Sequence, residues 1–291
     1  MKVNQVSIIG ILVSVAIASA VGLAGGTGGA TVAGIPVFFA CGIIAFAIQW
    51  LMFIPAYLYQ TEKYYDLTGS LTYTSLTLMA LDFAPLLDGG RLLIAAMVMV
   101  WAVRLGSFLF ARIRADGHDV RFAKIKPSFL RFLMTWTLQG LWVFLTFSAG
   151  LAAITSLEPH PVGPVVIIGA LLWLIGFSIE VIADRQKGAF RSVAANRDTF
   201  ISHGLWKYSR HPNYFGEILL WLGIAVAAFP VLSGWQYVTL ISPVFVYLLL
   251  TQVSGVKMLE ARALRRWGHD EAYQAYLKKT PPLMLNPWSG R

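Results

Sequence analysis

Cysteine and charge are both scarce in this 291-residue chain. Cys41 is the only cysteine, which excludes an intrachain disulfide and a cysteine-rich metal site, and we predict no bound metal. Charged residues make up 13% of the sequence, whereas a soluble domain contains about 25%. Hydrophobic residues make up 57%, and the mean hydropathy is +0.66. This composition predicts an all-α fold, a polytopic bundle of membrane-spanning helices.

A membrane-spanning helix needs about 20 predominantly apolar residues. The sequence contains eight runs of this kind: Val6–Ala24, Pro36–Tyr59, Leu71–Leu87, Leu92–Ile113, Phe129–Ile154, Val162–Ala183, Ile218–Val231 and Tyr237–Val253. The third and seventh runs are marginal in length and can be tilted or partly re-entrant.

The net charge of +9 comes mainly from basic residues grouped in two connections between spans and in the segment after the last span. These residues are Arg112, Arg114, Arg121, Lys124 and Lys126; Arg185, Lys187, Arg191, Arg197, Lys207 and Arg210; and Lys257, Arg262, Arg265, Arg266, Lys278 and Lys279. Eight spans place all three groups on one side, and the positive-inside rule makes that side cytoplasmic. We therefore predict a multi-pass protein of the cell inner (plasma) membrane with both termini in the cytoplasm. Orientation in the bilayer explains the charge, so we predict no nucleic-acid partner.

The first apolar run follows a basic residue, Lys2, and is either a cleaved signal peptide or a retained helix. We favour the retained helix. The glycine-rich stretch Gly22–Gly34 follows this helix rather than a strand, so we predict a flexible outer loop and not a dinucleotide-binding loop.

The longest polar interval, residues 184–217, reads DRQKGAFRSVAANRDTFISHGLWKYSRHPNYFGE. A connection between helices usually has about two to eight residues, and longer ordered loops are more often functional. Just before and within it, Glu180 and Asp184 share a helix face, and Lys187 and Arg191 repeat that spacing with positive charge. The two pairs form either an ion-pair network at the membrane surface or a ligand site, in which acids hold hydroxyl or amide groups and cations hold phosphates.

The interval ends in a second candidate group around Pro212. Proline is favoured in the first turn of a helix, so the seventh span is predicted to begin near Pro212. A helix N-terminus flanked by Arg210 and His211 suits an anionic group such as a phosphate. The neighbouring polar side chains Asn213, Tyr214 and Glu217 complete this group.

A third group of polar residues lies between the second and third spans. It contains Glu62, Tyr64, Tyr65 and Asp66, with Tyr73 one or two turns onward. Arg104, in the lower half of the fourth span, needs an acid, and Asp66 or Glu62 is the nearest candidate on the same side. These residues are either boundary residues or a site at which an acid beside a phenol or arginine polarises a carbonyl.

The segment SGVKMLEARALRRWGHDEAYQAYLKK is predicted to form a surface helix after the last span. Arg262 and Arg266 share one of its faces, and Trp267, Tyr273 and Tyr276 are typical anchors in the lipid headgroup zone.

The run from Asp184 through GLWKYSRHPNYFGEILLW resembles the C-terminal domain of the steroid 5-alpha reductase family, in its bacterial branch. The resemblance extends to Leu138-Gln139-Gly140 and to Trp101–Arg104, and it covers residue 36 to the C-terminus. It therefore implies two parts: residues 1–35, an extra helix with an outer loop, and residues 36–291, a reductase-like membrane domain.

The resemblance implies a reductase that binds NADPH from the cytoplasm and delivers hydride to a carbonyl-conjugated double bond of a lipophilic substrate entering from the bilayer. The family's cofactor residues match Glu180, Asp184, Arg191, Tyr208, Asn213 and Glu217, with Lys257, Arg262 and Arg265 corresponding loosely. The catalytic glutamate falls at Asp66 and the catalytic tyrosine at Trp101, whose indole cannot protonate a substrate. Either a nearby tyrosine takes that part, Tyr64, Tyr65 or Tyr73, of which Tyr65 is our catalytic candidate, or the substrate is not a steroid enone.

Two other functions fit some of these residues. Membrane methyltransferases that use S-adenosylmethionine, of the isoprenylcysteine or phospholipid type, also carry an Arg-His-Pro-x-Tyr element. The long basic stretch with Lys187 and Arg191 favours a cofactor with several phosphates instead. A transporter or scaffold is disfavoured because the sequence shows neither inverted repeats nor charges near mid-membrane.

Overall fold

The computed structural model describes residues 2–119 and 121–287. Within them the chain is almost entirely helical: α1 Lys2–Gly25, α2 Val37–Leu58, α3 Tyr65–Asp82, α4 Gly89–Asp116, α5 Phe129–Thr155, α6 Pro164–Ser192, α7 Pro212–Ala228, α8 Ile241–Leu248, α9 Val256–Trp267 and α10 Glu271–Lys279. Short 3-10 helices lie at Ala194–Asn196, Gly204–Lys207, Phe229–Val231 and Gly234–Leu240, and a π-helix continues α8 over Leu249–Val253. The all-α fold predicted from the composition is confirmed.

Seven helices of the described residues are long and apolar enough to cross a membrane: Asn4–Gly25, Val37–Leu58, Gly89–Ala115, Phe129–Thr155, Pro164–Ser192, Pro212–Val231 and Gly234–Trp267. They confirm a polytopic helical membrane protein. The eighth predicted span, the run Leu71–Leu87, corresponds to α3, which is not among the seven because it is rich in threonine and serine. Its hydroxyl groups are satisfied within the helix, since Thr68, Thr72 and Thr77 donate to the carbonyl oxygens of the preceding turn.

The connection between α2 and α3 lies beside the connection between α4 and α5. Glu62 forms an ion pair with Lys126, and its Oε1 accepts a hydrogen bond from the backbone N–H of Asp119 at 2.8 Å. Both connections are therefore at the same end of their helices, and α3 runs back antiparallel to α4. An eighteen-residue helix is about 27 Å long, close to the roughly 30 Å of hydrocarbon that a span must cross. The eight-span arrangement stays a prediction that this geometry favours.

The chain divides into two compact units. The first contains Met1–Ile167 and Ala225–Ser242, and the second contains Ile168–Ile224 and Pro243–Arg291. In the first unit α5 is central: from Gln139 to Thr155 every residue except Trp142 is buried. A helix that is apolar and buried on all sides belongs in the middle of a bundle. Helices α1, α2 and α3 pack against it.

The N-terminal segment belongs to this first unit, where α1 contacts both α2 and α5. The division into residues 1–35, an extra helix with its loop, and residues 36–291, the reductase-like domain, stays a prediction. The glycine-rich stretch, predicted as a flexible outer loop, contains hydrogen-bonded structure. It ends in a two-stranded hairpin, Thr31–Val32 with Ile35–Pro36, and the N–H of Ala30 donates to the carbonyl of Thr155 at 2.7 Å.

In the second unit α6 and α7 cross closely. A Cβ atom at Gly216 would lie 2.6 Å from the carbonyl oxygen of Gly176 and 2.7 Å from the backbone nitrogen of Glu180. Only glycine allows this approach, which is typical of helix pairs in membranes. The helix α7 begins at Pro212, as predicted.

The segment after the last span is two helices rather than the one that we predicted. Residues Gly268–Asp270 separate α9 from α10, and the Asp270 side chain caps α10. The aromatic residues predicted as headgroup anchors pack on the protein itself. Tyr273 is buried against Phe200, with ring centroids 5.0 Å apart, and the Tyr276 hydroxyl donates to the carbonyl of Trp206 at 2.7 Å.

Candidate functional site

A small cavity in the first unit is lined by one face of α3, one face of α4 and one residue of α5. Its lining residues are Asp66, Ser70, Tyr73, Trp101, Leu105, Leu109 and Trp142. Asp66, Ser70 and Tyr73 are spaced at i, i+4 and i+7, the spacing that places side chains on one helical face. The volume is about 20 Å³, enough for one water-sized group.

Asp66 is the acid of this cavity and stands in the first turn of α3. Burial raises the pKa of its carboxyl above the ordinary value, although Arg121 and Arg112 act in the opposite direction. A raised pKa lets a carboxyl group keep its proton closer to neutral pH, as a general acid requires.

Tyr73 and Trp101 pack edge to face in the same cavity. Their ring centroids are 5.1 Å apart at an interplanar angle of 86°, and both side chains are buried. Tyr73 also meets Trp142 at 5.9 Å and 84°. The structure therefore brings Asp66, Tyr73 and Trp101 together, and Tyr73 is the tyrosine that lines the cavity with the acid.

Tyr65 and Tyr64 lie elsewhere. The Tyr65 hydroxyl donates to the carbonyl of Thr135 at 3.0 Å, and its ring contacts Phe122 and Trp136. Tyr64 is half-exposed and stacks on Phe110. Residues share a helical face when they are three or four positions apart. Tyr65 is one position and Tyr64 two positions before Asp66, so neither tyrosine is on the face of Asp66.

The two charged residues predicted with Asp66, Glu62 and Arg104, each have a contact outside the cavity. Glu62 pairs with Lys126 and not with Arg104. Burial raises the pKa of Glu62, but the hydrogen bonds from Lys126 and the Asp119 N–H outweigh it and lower the pKa overall. The Arg104 guanidinium lies 5.2 Å from the centroid of the Phe108 ring, and Arg104 is not among the residues that line the cavity.

The second unit contains the three acids of the predicted cofactor site, and all three are buried. Glu180 is 2% exposed, Asp184 8% and Glu217 9%. The first two stand on α6 and the third on α7, one residue beyond Gly216. The close crossing at Gly216 therefore brings the carboxyl-bearing segments of the two helices side by side.

Arg210 and His211, at the start of α7, share a partner that the sequence did not indicate. Glu260 of α9 forms an ion pair with Arg210, and its Oε1 lies 2.7 Å from His211 Nε2. Burial lowers the pKa of His211, although its hydrogen bond to Glu260 raises it. The only sequence signal for this contact was a single acid within a basic segment.

Each of these two side chains also has a buried nitrogen without a hydrogen-bond partner among the described residues. Because a carboxylate only accepts hydrogen bonds, Nε2 carries the proton of the neutral imidazole and Nδ1 is an acceptor. Neither His211 Nδ1 nor Arg210 Nε has a hydrogen-bond partner among the described residues. A ligand with both hydroxyl and anionic groups fits this pair of atoms.

The remaining predicted cofactor residues surround this group or lie on the surface. Lys187 Nζ is 4.5 Å from the centroid of the Trp206 ring. The Tyr214 ring stacks on His211 at 5.6 Å, and the Tyr208 carbonyl accepts from the N–H of Asn286. Asn213 is partly buried in the first turn of α7, whereas Arg191, Lys257, Arg262 and Arg265 are exposed. No group of His, Cys, Asp and Glu able to hold a metal occurs among the described residues.

These helices and buried polar groups define a polytopic helical membrane protein with a candidate ligand site in each unit. The chain belongs to the family described as protein of unknown function DUF1295, which it matches over residues 52–280. It is also similar to 3-oxo-5-alpha-steroid 4-dehydrogenase 1 from Bos taurus, with 27% identity over 124 residues. The predicted resemblance to the steroid 5-alpha reductase family is confirmed at the level of the family.

The similarity to the bovine protein is partial. It covers 42% of this chain and 43% of that protein. No solved structure shows a significant match.

Proposed function

We propose that this protein is an NADPH-dependent membrane reductase. It transfers hydride to the β-carbon of a C=C bond conjugated to a carbonyl, in a lipidic substrate such as a steroid, an isoprenoid enone or an enoyl thioester. The observation that carries this proposal is the cavity in which Asp66, with its raised pKa, and Tyr73 lie together against Trp101.

The reaction requires a proton donor at the substrate carbonyl. Hydride addition at the β-carbon moves the electrons of the double bond toward the carbonyl oxygen, and positioned donors stabilise the charge that develops there. The Asp66 carboxyl, whose pKa is raised by burial, and the Tyr73 phenol supply such donors. The resulting enol then takes a proton at the α-carbon and returns to the ketone.

Tyr73 takes the part expected at Trp101. An indole donates a hydrogen bond but is too weak an acid to transfer its proton, whereas a phenol can do both. Tyr73 is the immediate edge-to-face neighbour of Trp101 and lines the same cavity. The cavity has room for an oxygen-sized group rather than for a whole lipid, so it suits the carbonyl end of the substrate.

The second unit supplies the residues that would hold NADPH. The buried carboxyl groups of Glu180, Asp184 and Glu217 suit the ribose hydroxyl and carboxamide groups. The cations that suit the phosphates are Lys187, Arg191, Arg210, Lys257, Arg262 and Arg265. His211 Nδ1 and Arg210 Nε, which have no partner among the described residues, support a ligand at this place. When bound, the nicotinamide supplies the hydride.

A cofactor titration tests this proposal against the methyltransferase alternative. NADPH should raise the melting temperature of the purified protein, because a ligand at about 100 times its Kd stabilises the folded state by about 2.7 kcal/mol. NADH, which lacks one phosphate, should give a smaller rise, and S-adenosylmethionine none. A rise with S-adenosylmethionine and none with NADPH would instead establish the methyltransferase.

We also propose that both termini lie in the cytoplasm and that the membrane is the cell inner (plasma) membrane. The three groups of basic residues, and the contact of Glu62 with Lys126 at one end of the first unit, support this orientation. A tag at either terminus should stay protected from protease added to spheroplasts. Cleavage of a tag would show that its terminus lies outside the cytoplasm and would contradict the assignment.

A further inference from the structure

Trp142 differs from every other residue of the central stretch of α5. It is the one residue between Gln139 and Thr155 that is partly exposed rather than buried, and it lines the cavity that holds Asp66 and Tyr73. Its Nε1 nitrogen is shielded from solvent and has no hydrogen-bond partner among the described residues.

An indole N–H can only donate a hydrogen bond. Leaving such a donor buried without an acceptor destabilises the folded protein, because the hydrogen bond that the donor makes with water is lost and not replaced. Other indoles of this protein have acceptors: Trp206 Nε1 donates to the carbonyl of Ala183 at 3.1 Å, and Trp50 Nε1 donates to Thr137 Oγ1 at 3.0 Å. Trp136 Nε1 and Trp173 Nε1 also lack an acceptor among the described residues, but neither residue lines the cavity.

We propose that Trp142 Nε1–H donates a hydrogen bond to the carbonyl oxygen of the substrate, in the cavity shared with Asp66 and Tyr73. This inference rests on the proposed reductase function and assigns a third donor to the same oxygen. The cavity then selects lipids by an acceptor oxygen at one end, and it discriminates against analogues that lack the carbonyl.

The geometry gives Trp142 a separate role from the acid. Asp66 and Tyr73 both belong to α3, whereas Trp142 belongs to α5, so the oxygen is held from two helices. Its hydrogen bond strengthens as negative charge develops on the oxygen, but the indole keeps its proton throughout. Trp142 therefore contributes binding and orientation, and the proton comes from the acid.

The test compares Trp142→Phe with Trp136→Phe in the full-length protein in detergent. Both variants remove an indole N–H from α5 that lacks an acceptor, and only the first removes it from the cavity. The probes are testosterone, the small enone cyclohexenone, and the testosterone analogue without the ring ketone. Equilibrium dialysis gives each Kd, and NMR of nitrogen-labelled indole groups follows the Trp142 signal, identified by its loss in Trp142→Phe.

We expect the Trp142 signal to move with at least one enone and to stay in place with the ketone-free analogue. Trp142→Phe should weaken enone binding by about 2- to 10-fold, the effect of one neutral hydrogen bond. Trp136→Phe should leave the Kd unchanged, and neither variant should alter the weak binding of the ketone-free analogue.

Three results would overturn the inference: no enone bound by the wild-type protein, a Trp142 signal that no enone moves, or the same enone Kd in Trp142→Phe as in the wild type. The reductase proposal is judged separately, by the oxidation of NADPH in the presence of each enone. A moving Trp142 signal without NADPH oxidation would keep the inference and remove the reductase. NADPH oxidation with unchanged KM and turnover in Trp142→Phe would keep the reductase and remove the inference about Trp142.

Discussion

Replacing Asp66 by asparagine should lower the turnover of enone reduction by about 100- to 10,000-fold, the usual contribution of a general acid. Asparagine preserves the size of the side chain but has no acidic proton to transfer. The rise in melting temperature with NADPH should remain, because the predicted cofactor residues belong to the second unit and Asp66 to the first. Steady-state oxidation of NADPH with an enone measures the effect.

The matched control is Asp82→Asn, at the exposed C-terminal end of the same helix. It should leave turnover unchanged. An Asp66→Asn protein that folds, binds NADPH and keeps its turnover would remove Asp66 from the mechanism. Loss of folding would assign Asp66 a structural role.

The pH dependence should follow from the raised pKa of Asp66. Because burial raises this pKa in the folded state, the carboxyl contributes stability below its ordinary pKa and loses it as the pH rises through the folded value. Turnover should fall over the same window as the acid form is lost. In Asp66→Asn this decline should be absent, and a decline that persists in the variant would belong to another group.

Replacing Arg91 by methionine should lower the free energy of unfolding by about 3–5 kcal/mol, the effect of leaving one partner of a buried ion pair alone. Arg91 is completely buried and forms an ion pair with Asp88. Its guanidinium also donates to the carbonyl oxygens of Ile154 at 3.1 Å, Ser156 at 2.7 Å and Glu158 at 2.6 Å. Methionine fills similar space but leaves all four acceptors without this donor.

The control for this prediction is Arg114→Met, which removes an exposed arginine from the same helix. Unfolding by titration with sodium dodecyl sulfate measures both variants. We expect a clear fall in the midpoint for Arg91→Met and almost none for Arg114→Met. Equal midpoints would show that the cluster around Arg91 does not hold the ends of α4 and α5 together.

The helices could be predicted from the sequence because a span is a matter of length and composition. The run Phe129–Ile154 became α5 almost residue for residue, and Pro212 starts α7 as its missing N–H requires. The predicted run Leu71–Leu87 begins and ends about five residues later than α3, Tyr65–Asp82. The start of α3 is rich in threonine and serine, whose hydroxyl groups bond to the helix's own backbone, so hydropathy alone does not mark it as part of a helix.

The site residues could be predicted only as far as spacing along one helix allows. Asp66 and Tyr73 are two turns apart, and the periodicity shows that they share a face. It does not show which face meets α4 and α5, and so Tyr65 was expected at the acid although its hydroxyl bonds to Thr135.

Contacts between distant segments left no local pattern in the sequence. Glu260 meets Arg210 and His211 across about fifty residues of chain. Arg91 donates to three backbone carbonyl oxygens, and because every residue has such an oxygen, the residue types give no sign of this contact. Trp142 carries no sequence signal either, because the importance of its N–H depends on which acceptors lie nearby.

The central claim is that a hydride passes from NADPH to the β-carbon of an enone bound to this protein. The most direct measurement supplies NADPH carrying deuterium on the reactive carbon of the nicotinamide, together with testosterone, and analyses the product by mass spectrometry. We predict a saturated ketone that has gained one deuterium at the β-carbon, and almost no such product with Asp66→Asn. Testosterone and the smaller enones recovered unchanged, from a protein that S-adenosylmethionine stabilises and NADPH does not, would contradict the claim.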